Sequence, residues 1–179
     1  MSENTVKYVK DFGIACDTNT RFRTAMEDEH YIDRNFRDST GALFAVFDGH
    51  FGREVVDIVE EALPRELTKA LDELGEYPSP NKIQEAIAAA FSSTDSKTDG
   101  VTGGSTCVCC LLLNDTESPS RKVLYSANCG DSRAVYSHGE TVDVLTYDHR
   151  GTDYNEMNRV TVCGMLSRCK MSSMCASIK

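Results

Sequence analysis

No stretch of this sequence is long and apolar enough to cross a membrane. The longest apolar run lies around Cys107 to Leu113, far short of the roughly 20 residues that a spanning helix needs. The first residues, Met1-Ser-Glu-Asn-Thr-Val-Lys-Tyr, have no apolar core of a secretory signal. Without secretion, the eight cysteines are expected as free thiols in a reducing compartment, cytoplasmic or nuclear. Basic charge is also scarce: 19 Lys and Arg face 28 Asp and Glu, a net of -9. That excess repels a phosphate backbone and argues against a nucleic-acid partner. Paired zinc-ligand spacings are missing as well. Cys107-Val108-Cys109-Cys110 contains a C-x-x-C spacing but lies in a β run, where alternation sends Cys107 and Cys110 to opposite faces. Buried strand thiols are the expected reading.

What is present suits one domain with a real core, since 179 residues are 40 % hydrophobic. Phe12 to Cys16, His30 to Ile32 and Ala42 to Phe47 read as strands, the last running into Asp48-Gly49-His50. From Glu54 the period changes: Val55, Val59, Leu63, Leu67, Leu71 and Leu74 trace an amphipathic helix, or two collinear ones broken near Pro64. Ser79-Pro80 opens a second helix, with Ile83, Ile87, Ala90 and Phe91 on one face. Ser92 to Gly104 reads as a loop. Ser105 to Leu113, Lys122 to Asn128, Ser132 to Tyr136 and Thr141 to Thr146 read as strands, the last two joined at His138-Gly139-Glu140. Helices set between β segments, with later strands joined by hairpins, predict an α+β layered domain. Between Cys163 and Cys175 lie three of six methionines and three of eight cysteines, with neither a strand nor a helix period. The expected organisation is a domain over 1–164 and a poorly ordered Met/Cys-rich tail over 165–179.

Three segments place carboxylates where a hard cation could use them: Arg23-Thr-Ala-Met-Glu27-Asp28, Phe47-Asp48-Gly49-His50 and Gly130-Asp131-Ser132-Arg133. Taken singly, each is an ordinary loop or turn; an Asp-Gly pair is foremost a hairpin signal. Together, Glu27, Asp28, Asp48 and Asp131 would form an acidic, all-oxygen pocket. Two carboxylates about 4 Å apart repel by roughly 4 kcal/mol at an effective dielectric near 20. Such a pocket calls for protons or cations, and Mg²⁺ or Mn²⁺ suits oxygen ligands. Arg23 would grip phosphate oxygens through its planar fork.

The ordered set RTAMEDEH, FAVFDGHFG, GGSTCVCCLL, LYSANCGDSRAVY, LTYDHR and EMNRV resembles the type 2C family of metal-dependent protein serine/threonine phosphatases. The resemblance covers Phe12 to about Gly164. It implies a β-sandwich of two antiparallel sheets flanked by antiparallel helix pairs, and hydrolysis of phosphoserine and phosphothreonine in proteins by a metal-activated water. It implies two Mg²⁺ or Mn²⁺ ions per complete site. Asp48 would bridge them, the Gly49 carbonyl would ligate one, and Glu27 and Asp28 would hold metal-bound waters. Asp131 would help to hold a further ion, Arg23 would bind the substrate phosphate and His50 would protonate the leaving oxygen.

Two departures stand out. Phe51 follows the Asp48-Gly49-His50 triplet where the family usually has glycine or alanine. The family's later Asp-Gly and Asp-Asn segments, which complete the metal site, do not occur in this sequence. The expectation is a chain that carries the first part of the catalytic domain and turns over weakly or not at all. The alternative is a non-catalytic phosphoprotein-binding or regulatory fragment. Neither the substrate protein nor the oligomeric state is legible.

Overall fold

The computed structural model describes residues 9–118, 120–162 and 177–178. The elements follow in the order β1 (Glu29–Asp33), α1 (Phe36–Ser39), β2 (Gly41–Phe47), β3 (Gly49–His50), α2 (Glu54–Asp72), α3 (Pro80–Ser96), β4 (Gly104–Ser105), β5 (Cys107–Asn114), β6 (Lys122–Cys129), β7 (Val135–His138), β8 (Thr141–Val144), α4 (Tyr154–Val162) and β9 (Ser177–Ile178). The short α1 is a left-handed turn more than a helix, with Arg37 and Asp38 at φ +52° and +54°.

The principal sheet has five strands in the order β1-β2-β5-β6-β9, with β3-β4 and β7-β8 as separate two-stranded pairs. All pairings are antiparallel. Alternation assigns the faces. Leu43, Ala45 and Phe47 of β2, Cys107, Cys109, Leu111 and Leu113 of β5, and Tyr125 and Ala127 of β6 point into the core. Facing them are Val56, Val59, Leu63 and Leu67 of α2 and Ile83, Ile87 and Phe91 of α3. This is the α+β arrangement that the sequence predicts, an antiparallel sheet layered against a helix pair. Cys107 and Cys109 are buried, while Cys110 lines a groove on the opposite face. Burial drives the Cys109 thiol far above its ordinary pKa.

The structure settles how the two helices run. α2 passes through Pro64 as one helix whose core side buries the ring, which resolves the choice left open between one helix and two. α3 does not stop at Phe91 but continues to Ser96, inside the stretch expected to be loop. Its polar last turn satisfies its hydroxyls internally: Thr94 Oγ1 donates to the Ala90 carbonyl (2.8 Å) and Ser96 Oγ to the Ser92 carbonyl (3.0 Å). Ser79 is the N-cap and Pro80 the first helical residue, although the Ser79 hydroxyl makes no capping bond.

Phe12 to Cys16, expected as a strand, lies outside every sheet. An apolar alternation becomes a strand only where a neighbouring ladder takes up its N–H and C=O groups. Here Gly13, Ile14 and Ala15 lie instead across the second face of the main sheet. They line a groove of about 460 Å³ with Phe44, Val46, Val108 and Cys110. That face is otherwise tied to the segment after β8: Ser126 Oγ donates to the Leu145 carbonyl (3.1 Å) and Asn128 Nδ2 to the Tyr147 carbonyl (2.7 Å). The tail expected over 165–179 lies outside the described residues, apart from the two residues of β9.

Phe91 is fully buried between the helices and the sheet. Phe91→Ala should therefore destabilise the fold by about 3–5 kcal/mol, read as a lowered midpoint in denaturant unfolding.

Candidate active site

β2 delivers Asp48 to the end of the sheet, and Thr106 holds it there. The Thr106 N–H donates to the Asp48 carbonyl (2.9 Å), and the Asp48 N–H donates to Thr106 Oγ1 (3.2 Å). The same hydroxyl lies 2.5 Å from Ser132 Oγ, which draws in the loop that carries Asp131. Gly130 permits that approach. Its φ is +96°, and a Cβ there would sit 2.7 Å from Thr106 Cβ.

Asp28 and Glu27 arrive from the other side. Gly49 is buried, and a Cβ on it would collide with the Glu27 carbonyl. The bare glycine thus lets the two segments touch. Arg53, at the start of α2, stitches them further: Nη1 donates to the carbonyls of Met26 (2.9 Å) and Asp28 (3.3 Å), and Nη2 to the carboxylates of Glu29 (2.7 Å) and Asp57 (2.9 Å). Glu27 Oε1 accepts the Gly52 N–H at 2.5 Å. β3 and β4 pair His50 with Gly104, where a Cβ would meet the imidazole Nε2 at 2.5 Å. Sequence reasoning missed Thr106 and Arg53. Each acts through backbone groups of other segments, and no spacing rule marks such a role.

The electrostatics gather around Asp48. Its carboxyl is pushed above the usual range, first by partial burial, then by the charges of Asp28 and Asp131, with His50 and Arg23 pulling the other way. Arg23, Asp28, Asp48, His50 and Asp131 therefore share one electrostatic neighbourhood. The carboxylate of Glu27 is turned to the Gly52 N–H. Arg23, Asp28, Asp48, His50 and Asp131 are exposed, Glu27 is half-buried, and Asp131 lies 4.0 Å from Arg150 Nε. Phe51 stands next to His50 and is 84 % exposed.

A cluster of like charges with hard oxygen donors fits Mg²⁺ or Mn²⁺ in chemistry. In number it falls short, for among the described residues no three His, Cys, Asp or Glu side chains surround one point that could hold a metal ion.

The chain is similar to known proteins over most of its length. The family model for protein phosphatase 2C matches residues 12–172. Protein phosphatase 2C homolog 1 of Schizosaccharomyces pombe is 32 % identical over 158 residues, covering 86 % of this chain and 44 % of that protein. The human probable protein phosphatase 1N is 36 % identical over 151 residues, 80 % of this chain and 33 % of that protein. The chain thus spans less than half the length of either relative. Among solved structures, a sex-determining protein of C. elegans superposes with a TM-score of 0.69 at 20 % identity, over 88 % of this chain and 45 % of that one. The serine-threonine phosphatase 2C of Toxoplasma gondii gives 0.62 at 19 %, over 79 % and 51 %. At these identities the structural likeness speaks for the fold.

If like-charge crowding strains the metal-free site, Asp48→Asn should raise the thermal midpoint in EDTA at pH 7, by roughly 2 °C once solvent screening is allowed for. The sign follows from the raised carboxyl: the folded state is penalised once Asp48 ionises, and the penalty is absent below the unfolded carboxyl value. The gain should therefore disappear below about pH 4. A variant that melts lower at pH 7 would contradict the crowding.

Proposed function

This chain belongs to the protein phosphatase 2C family, and we propose on that basis that it carries the first part of the active site of a metal-dependent protein serine/threonine phosphatase. The observation that carries this reading is the convergence on Asp48 of two carboxylates, Asp28 and Asp131, together with Arg23 and His50.

Asp48, Asp28, Glu27, Asp131 and the Gly49 carbonyl would hold Mg²⁺ or Mn²⁺, which when bound offsets phosphoryl charge and makes a water acidic near neutral pH. The remaining work falls to side chains. The exposed Arg23 guanidinium binds the equatorial oxygens of the phosphoryl group and orients it toward Asp48. His50, beside Asp48 and packed over Gly104, gives a proton to the serine or threonine oxygen as it leaves. Thr106 keeps the two loops in register, so that phosphate and proton donor meet on the same side. The substrates would be phosphoserine and phosphothreonine proteins.

The 179-residue chain by itself should turn over slowly, since among the described residues no three His, Cys, Asp or Glu side chains surround one point that could hold a metal ion. That same observation favours a second reading, a fragment that binds phosphoproteins through Arg23 without releasing phosphate.

The two readings separate in one assay, phosphate release from a phosphothreonine peptide by the purified chain with and without Mn²⁺. Slow release that requires Mn²⁺ and drops roughly 10²-fold or more in Asp48→Ala is the expected result. Release unaffected by Asp48→Ala would sink the assignment, and peptide binding with no release would establish the binding fragment.

A further inference from the structure

Phe51 sits at φ +60°, in the left-handed region where a bulky L side chain is strained. Nothing about packing accounts for this, because 84 % of the residue faces solvent. Its ring meets the His50 imidazole edge-on, with centroids 5.6 Å apart. The backbone around it is pinned on both sides. His50 pairs with Gly104, the Gly52 N–H is held by Glu27 Oε1, and a Cβ on Gly103 would come within 3.0 Å of the His50 carbonyl and 3.1 Å of the Phe51 carbonyl. The surrounding site thus imposes the left-handed conformation, and a large apolar ring occupies a place where glycine would be at ease.

A second phenylalanine repeats the arrangement beside the other working residue. Phe22 immediately precedes Arg23 and is 72 % exposed. The N–H groups of Phe22 and Arg23 both donate to the Asn19 carbonyl, at 2.8 and 3.1 Å, so this turn is also fixed. The Arg21 guanidinium lies 5.1 Å from the Phe22 ring centroid. Each of the residues assigned to phosphate binding and proton donation therefore has an exposed aromatic ring as its covalent neighbour. Strain retained at a site rim points to use there, and exposed aromatic side chains supply large contact area when a partner covers them.

We propose that Phe51, with Phe22 as a second wall, is a specificity determinant: it receives a large apolar side chain next to the phosphorylated residue of the substrate. The substrate class is then a phosphoserine or phosphothreonine segment flanked by residues such as leucine or phenylalanine. Acidic flanks are disfavoured by the carboxylates of Asp28, Asp48 and Asp131 in the same neighbourhood. The inference rests on the phosphatase reading of this site.

The test uses the whole 179-residue chain in Mn²⁺ and two labelled phosphothreonine peptides, one with leucine and one with alanine on both sides of the phosphoresidue, with binding read by fluorescence anisotropy. The leucine peptide should bind roughly tenfold tighter to the wild-type chain. Phe51→Gly should bring the two affinities together while raising the thermal midpoint, because the strain is relieved. Phe51→Leu, which keeps both an apolar side chain and the backbone demand, should retain a several-fold preference. Equal binding of the two peptides by the wild type, or an undiminished preference in Phe51→Gly, overturns the proposal and leaves the phosphatase reading standing. If neither peptide binds, or if binding is unchanged when the phosphate is removed, the phosphatase reading falls and the specificity proposal falls with it.

Discussion

The arrangement depends on holding negative charges together that would otherwise separate. Asp48, Asp28 and Asp131 lie on three different stretches of chain, and Coulomb repulsion alone would part them. Uncharged contacts oppose it: the reciprocal hydrogen bonds between Asp48 and Thr106, the hydroxyl contact from Thr106 to Ser132, and two glycines whose missing Cβ atoms let Gly49 meet the Glu27 backbone and Gly130 meet the Thr106 side chain. Behind these stands the sheet, in which β2 and β5 set Asp48 and Thr106 side by side at the ends of paired strands. The site is thus a strained assembly on a rigid support, which is the expected place for a stable fold to spend stability on chemistry.

Most of the frame is legible because its signals are strong ones: β2 and β5 are nearly unbroken apolar runs, and the apolar residues of α2 and α3 recur every three to four positions. The errors share a physical origin. Phe12 to Cys16 has a strand's alternation, but a strand is a relation between two ladders and a single segment cannot announce its partner. Ser92 to Ser96 looks like loop because it is polar, yet the Thr94 and Ser96 hydroxyls bond back to carbonyls of their own helix.

The site divides in the same way. Glu27, Asp28, Asp48, His50, Asp131 and Arg23 stand out in the sequence because their residue types carry chemistry in short, recognisable strings, and all but Glu27 lie in the electrostatic neighbourhood of Asp48. Thr106 and Arg53 do not, since they contribute hydrogen bonds to main-chain atoms far away in sequence. Charge and nucleophilicity are written in residue identity. The scaffolding that makes them useful is written in three-dimensional contacts, and that layer becomes visible only once the fold is known.

The groove on the second face of the main sheet has a thermal consequence. Phe44, Val46, Val108 and Cys110 line it, and Val46 is half exposed, so the folded chain already keeps apolar surface in contact with water. Unfolding then uncovers less new apolar area than it would in a chain of this length whose groove residues were all sealed from water. The heat-capacity increment of unfolding should be correspondingly small, below the usual ~12–15 cal/mol/K per residue. The stability curve of such a chain is less strongly curved about its maximum, so that cooling weakens it little.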